Sequence, residues 1–290
     1  MKRLATLAML SCLLGQSRAA SATWLLDTEA TVIYDDNVGL AQRARDVKSD
    51  TALSALASVG WGVQLDDRSL VSLTLDAGGK LYERFTGLDH VVLGLTPAFK
   101  HKLGLGPEAP SVRLWGSVAR QEYEEDIRDS WVYRLGAGIG KRFGARWELR
   151  ADYTFERRLG DDDTAVSTTL PGDVFDLTSH TFAFRSDFLY SQALSLFAGY
   201  ALRTGDVVST TTRNPQIFGA STALTRDRAF GRNFVAYKID ATAHVLGVGG
   251  SLALGQRASF NVGYEHVIGE ARRGIEYRNN IVRMGLLYSF

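Results

Sequence analysis

The chain has 290 residues, with 33 lysines and arginines set against 32 acids, 45% hydrophobic residues and a single cysteine. A net charge of +1 excludes a polyanion such as nucleic acid as the main partner, and the apolar fraction excludes a disordered chain. The length fits one large β-domain or two smaller ones.

Residues 1–22 read as a secretory signal. Lys2 and Arg3 give a positive start, Leu4 to Leu14 is a short apolar run, and Ser17-Arg18-Ala19 or Ala20-Ser21-Ala22 offers small residues for a peptidase. Cleavage leaves a mature chain over 23–290 and removes Cys12, the only cysteine, so no disulfide is expected. No later run of about 18 apolar residues exists to form a spanning helix. A β-barrel needs none, because it crosses the bilayer with alternating strands.

The mature chain is a succession of period-two segments. Thr23 to Tyr34 sets Trp24, Leu26, Ala30, Val32 and Tyr34 against Asp27, Glu29 and Thr31, and a polar stretch runs on to Ser49. Thr51 to Leu65 turns at Asp66-Asp67-Arg68 into Ser69 to Phe85. His90 to Lys102 turns through Gly104 to Pro107 into Ser111 to Tyr123, where Trp115 breaks the pattern by falling on the polar face. Trp131 to Phe143 leads by Gly144-Ala145 into Trp147 to Leu159. There Trp147, Leu149, Ala151, Tyr153 and Phe155 alternate with Glu148, Arg150, Asp152, Thr154 and Glu156. His180 to Tyr190 pairs with Leu194 to Thr204, and a polar stretch extends from Gly205 to about Asn233. His244 to Leu254, Ala258 to His266 and Tyr277 to Phe290 complete the chain.

About twelve strands of roughly ten or more residues are longer than soluble sheets use and suit a tilted crossing of a bilayer. Short turns alternate with mostly long polar loops, and an even strand number leaves both ends of the chain on the short-turn side. The predicted fold is therefore all-β: a transmembrane antiparallel up-and-down barrel with periplasmic termini. Outward aromatics sort by height. Trp24, Trp61, Phe143, Trp147, Phe260 and Tyr288 fall at the lower strand ends; Tyr34, Phe85, Trp131, Tyr133, Tyr153, Phe182, Tyr200 and Tyr264 fall at the upper, as interfacial girdles require.

The last strand sets Val282, Met284, Leu286, Tyr288 and Phe290 on one face. It resembles the closing strand of Gram-negative outer-membrane barrels, whose assembly machinery recognises a terminal aromatic; Phe290 and Tyr288 are the expected signal. More broadly the chain resembles the group of outer-membrane β-barrel porins, some of them associated with exopolysaccharide export. The resemblance rests on Tyr34-Asp35-Asp36-Asn37-Val38, on Phe197 to Tyr200 followed by Arg203 and Gly205-Asp206, on Tyr237 to Asp240, on Gly263-Tyr264-Glu265 and on Phe290. A more distant likeness is to the barrel half of surface-lipoprotein assembly modifiers. The resemblance implies the outer membrane as location, with its lipids, lipopolysaccharide, the barrel-assembly machinery and envelope export components as partners; it supplies no catalytic residues.

No histidine has a serine two residues after it, so the outward His-Ser pair of a membrane acyl hydrolase is not expected. Scattered histidines and the absence of cysteine from the mature chain give no metal spacing, and Asp161-Asp162-Asp163 reads as a solvated acidic loop before a cation site. No enzyme activity, cofactor or metal is expected.

Sorting charges by face places Lys80, Arg84, Lys100, Lys102, Arg113, Arg134, Arg142, Arg150, Arg158, Arg185, Arg203 and Arg283 inward, against fewer acids. Lys80, Arg84, Arg134, Arg150, Arg185 and Arg203 are the candidate lumen-lining residues. The pattern predicts a weakly anion-preferring channel for small polar or acidic solutes. Two alternatives stay open: that these charges pair across strands and fill a polar interior, and that the barrel is plugged and serves as a docking module for envelope or exopolysaccharide export.

Overall fold

The computed structural model describes residues 22–290, so the expected signal segment lies, but for Ala22, outside the described residues. Twelve antiparallel strands form the ring: β1 (Ala22–Asp35), β2 (Asp50–Gln64), β3 (Ser69–Tyr82), β4 (His90–Lys102), β5 (Ser111–Tyr123), β6 (Ser130–Phe143), β7 (Trp147–Gly160), β8 (Leu177–Leu189), β9 (Leu194–Thr212), β11 (Phe234–Ala253), β12 (Ala258–Ala271) and β13 (Ile275–Ser289). A short strand, β10 (Ala223–Arg226), and a short helix, α1 (Pro215–Ala220), stand outside the ring between β9 and β11. The ring closes where β13 pairs with β1, from Asp27 opposite Ser289 to Asp35 opposite Ile281. Closure satisfies every wall strand on both sides, which the interior of a bilayer demands.

Period-two patterning decides which face meets what. Leu53, Leu75, Leu93, Leu135, Phe184, Leu246 and Leu286 point outward and are exposed, while Thr74, Arg134, Arg185, Gly247 and Glu265 point to the axis. Trp24 lies opposite Trp61, and Trp147 sits 4.6 Å from Phe188 at the short-turn end. Trp131, Tyr133, Phe182, Tyr200 and Tyr264 are exposed on the same outer face toward the other end. Leu149 is the third residue of β7 and so lies nearer the short-turn end than mid-wall.

Two strands run longer than the sequence pattern indicates. The segment expected at Leu194 to Thr204 continues to Thr212, and the one expected from His244 begins at Phe234. Pairing of β8 with β9 ends at Ser179 opposite Gly205, and pairing of β11 with β12 ends at Ala241 opposite Ala271, yet β9 and β11 stay paired to Thr212 opposite Phe234. Gly205, at φ +124°, makes the parting from β8; a Cβ there would lie 2.3 Å from the Thr178 carbonyl oxygen. Above this level the alternation is lost, because both faces of the pair pack on other segments instead of facing lipid and water. Val207, Tyr237, Ile239 and Ala241 are axial and buried there with Ile217, Leu224, Ile275 and Tyr277. A second small cluster joins Val174 and Phe175 to Ala223 and Ala236. Each fully buried Ile or Phe in these clusters contributes about 1.5–3 kcal/mol.

The strand expected to reach Phe85 ends at Tyr82. Phe85 is accordingly no girdle residue: it lies in the β3–β4 connection and stacks on Phe230 at 4.9 Å.

Candidate functional site

The lumen is lined by the axial residues of β1 to β13. Arg134 on β6 donates to Glu156 at 2.6 Å, and Arg203 on β9 approaches the same carboxylate at 4.0 Å. Arg150 on β7 reaches Asp187 at 2.6 Å and Glu148 at 3.7 Å. Arg185 on β8 shares Asp187 at 2.9 Å and lays its guanidinium 3.8 Å from the ring centroid of Phe197. Arg142 pairs with Glu148 and Arg283 with Glu265. Four of the six candidate lumen residues thus pair across strands in two groups, Arg134 and Arg203 about Glu156 and Arg150 and Arg185 about Asp187, as the cross-strand alternative anticipates. Lys80 also faces the axis, its ammonium 4.6 Å from the Tyr82 ring centroid. Arg84 stands apart: it is exposed in the β3–β4 connection, donating to the Ser49 carbonyl at 3.3 Å.

Partly exposed pairs of this sort are worth under about 1 kcal/mol each, so their main effect is on the field and not on stability. Six guanidiniums share four carboxylates in this set. Lys100 and Arg113 add two cations with no carboxylate within salt-bridge distance among the described residues, and the Arg113 guanidinium lies 5.7 Å from the Trp115 ring centroid. Trp115, the residue that broke the alternation, lies flat over Gly136; a Cβ there would sit 2.2 Å from the indole, so only glycine admits the ring. Lys100, Arg113, Trp115, Glu148, Arg150 and Asp152 line a cavity of about 400 Å³ within the lumen.

The facing wall has the opposite sign. Asp27 and Glu29 on β1 and Asp76 on β3 point to the axis, with Thr31 donating to Glu29 at 2.7 Å and Ser58 to Asp76 at 2.6 Å. In the ring of twelve, β1 is six strands from β7, so acids on one wall look across at the arginine ladder on the other.

At the long-loop end three connections, 36–49, 161–176 and 213–233, cover the mouth. Asn37, buried, accepts from Ala41 N–H at 2.9 Å and donates to the carbonyls of Ala41 and Arg278, fixing the first connection at its root. Its far end is tied to β9: Asp46 accepts from Thr211 at 2.6 Å and Thr212 at 2.8 Å. Burial works against ionisation of Asp46, but the two hydroxyls and Arg45 outweigh it and hold its carboxyl below the ordinary value.

The third connection crosses the mouth. Asn214 caps α1 by accepting from Gln216 N–H at 3.1 Å. Asp227, wholly buried, accepts from the Arg128 guanidinium, from Thr210 Oγ1 at 2.9 Å and from Ala229 N–H at 3.2 Å. Phe230 then reaches the β3–β4 connection, six strands round the ring from β9, to stack on Phe85. The Arg128 guanidinium lies 4.8 Å from the Phe175 ring centroid, and that of Arg158 lies 5.3 Å from the same ring. Burial and the charge of Asp227 push the neighbouring Glu125 carboxyl upward, against the pull of Arg228 and Arg128.

Arg128, Asp227 and Phe230 have no sequence signal as a group, since their partners lie far away in the chain. Asp161 is spent on Arg120 at 2.6 Å, which also lowers its carboxyl. Tyr288 and Phe290, the expected assembly signal, meet edge to face at 4.7 Å, and Phe290 N–H donates to the Leu26 carbonyl on β1.

A closed twelve-stranded antiparallel barrel with an apolar outer belt, aromatic girdles and a charged lumen is a transmembrane barrel of the Gram-negative outer membrane. An outer-membrane channel from Pseudomonas putida F1 superposes with TM-score 0.56 at 13% identity, covering 91% of this chain and 95% of that one. The NanC porin gives 0.47 at 7% identity over 91% and 98%, and the channel DcaP of Acinetobacter baumannii gives 0.45 at 9% over 95% and 99%. The likeness is one of fold, and it does not single out the exopolysaccharide-associated group. No family model and no curated protein matches the sequence.

Proposed function

We propose that the protein is an outer-membrane channel for small polar or acidic solutes, with a weak preference for anions, its long-loop end facing the exterior and its termini the periplasm. The observation that supports this reading is the charged lumen itself. Its cavity is lined by polar groups, six guanidiniums share four carboxylates, and Lys100 and Arg113 stand without a carboxylate partner. Because most arginines are matched, the excess is small and the preference is correspondingly weak. Reversal potentials across a salt gradient in a planar bilayer test it: a modest anion preference is expected, and Lys100→Glu with Arg113→Glu should reverse it. Cation preference of the natural protein would refute the reading.

A second reading is favoured by one observation, the fastening of the 213–233 connection to the opposite side of the mouth. In that reading the barrel is a plugged docking module in envelope or exopolysaccharide export. Deleting 216–231 separates the two. A channel gains conductance when its cover is removed, whereas absence of conductance before and after leaves the module.

A further inference from the structure

Above the wall, on the axial side of the β9–β11 pair, lies a cleft of about 910 Å³ lined by Arg45, Lys48, Arg213, Arg226 and Arg232 with one acid, Asp46. An adjoining cleft of about 570 Å³ shares Arg213, Arg226 and Val235 with it and adds Asn214, Phe218 and the hydroxyls of Ser167 and Thr168. The five cations come from three separate stretches of chain that only the fold brings together, unlike a run of solvated charges in sequence. Their single acid is already engaged by Thr211, Thr212 and Arg45 and is 2% exposed. Among the described residues no carboxylate lies within salt-bridge distance of Arg213, Arg226 or Arg232, in contrast to the matched arginines of the lumen.

Unmatched like charges held together repel one another, a cost that an anion occupying the cleft removes. A second observation points the same way. Asn214 is 1% exposed and its Nδ2 has no acceptor among the described residues. The amide cannot simply be turned over, because Oδ1 already accepts from Arg43 at 2.8 Å and from Gln216 N–H. A buried donor left without a partner at the wall of a cationic cleft calls for an oxygen acceptor. Exposed Phe218 adds an aromatic face, on which the apolar side of a sugar ring can stack. The volumes fall in the range of small-molecule sites, roughly 300–1,000 Å³.

We infer that the joined clefts bind an acidic saccharide, carrying two or more carboxylates, at the mouth before passage. The inference deepens the channel reading and rests on it for its role, but not for the binding itself.

The test uses the full barrel in nanodiscs and titration calorimetry with a uronic-acid trisaccharide, its methyl ester and inorganic phosphate. The acid should bind, more weakly as salt rises, and the ester should not. Arg213→Gln with Arg226→Gln should weaken binding by about thirtyfold or more, as expected for losing charge-assisted bonds, with the barrel's heat-modifiable migration on gels unchanged. Acid and ester binding alike, or an unaffected double variant, would overturn the inference. So would phosphate binding as tightly as the trisaccharide, which would mark a site for lipid phosphate groups. Conductance is recorded in parallel: binding without conductance refutes the channel alone, and conductance without binding refutes the site alone.

Discussion

Replacing Asp227 by alanine should loosen the cover without unmaking the barrel. The carboxylate is fully buried and accepts three hydrogen bonds, one of them from Arg128, whose side chain is only 12% exposed. Its loss leaves that guanidinium with a second orphan, since Arg128 Nε already lacks a partner. Removing one member of a buried pair costs about 3–5 kcal/mol, chiefly through the charge left behind. The wall pairings of β9 and β11 below Asp240 do not involve Asp227, so the cost falls on docking of the 213–233 connection. The undocked population should rise by roughly two to three and a half orders of magnitude. Trypsin cleavage after Arg228, two residues before buried Phe230, reads out that population, and open-channel events in a bilayer report its consequence. Pairing Asp227→Leu with Arg128→Met should restore slow cleavage, because an apolar replacement of both charges is close to neutral. Equal cleavage rates for Asp227→Ala and the natural protein would refute the assignment of the pair as the latch.

Leu75→Arg, on the outer face at the middle of β3, should cost about 2–4 kcal/mol on folding into vesicles, and Thr74→Arg, toward the lumen, far less; urea titration of the two should differ accordingly. Removing Phe290 should leave export across the inner membrane intact and lower the amount of assembled barrel, measured by heat-modifiable migration, because β13 loses its last hydrogen bond to β1 at Leu26. Asp46 has a depressed carboxyl pKa, so the docking it provides is complete above the ordinary value of about 3.8 and is lost as pH falls through the lower folded value. Proteolysis of the 36–49 connection by an acid protease should therefore quicken below about pH 4 and be flat from there to neutrality.

The wall was legible because a bilayer imposes one rule on every strand. His90 to Lys102 and Ser111 to Tyr123 end in the structure at the residues the alternation gives. The rule fails where the bilayer ends. In Asp206 to Thr212 and Phe234 to Ala243 Val207, Tyr237 and Ile239 turn to the axis to meet Ile217, Leu224 and Tyr277, while Ala236 on the other face meets Val174 and Phe175, so no single-sided alternation is left in the sequence. The ladder was half legible: Glu148 and Arg150 are neighbours on one strand face, but Asp187 joins them only through the β7–β8 register. Arg128 and Asp227 were out of reach, since 99 residues separate them and neither belongs to a periodic segment.

A closed barrel has no free edges, but the upward extension of β9 and β11 creates two. An unpaired strand flank standing clear of the bilayer would offer its backbone groups to any neighbouring chain. The chain seals both flanks from its own loops. Along β11, β10 supplies a partner from Ala223 opposite Lys238 to Arg226 opposite Val235. Along β9, Thr210 N–H donates to the Gly39 carbonyl at 2.7 Å, and the Asp206 carboxylate turns back to accept from Thr178 N–H at 2.9 Å. The same segments that cover the mouth thereby keep the tallest part of the molecule from recruiting strands of other proteins.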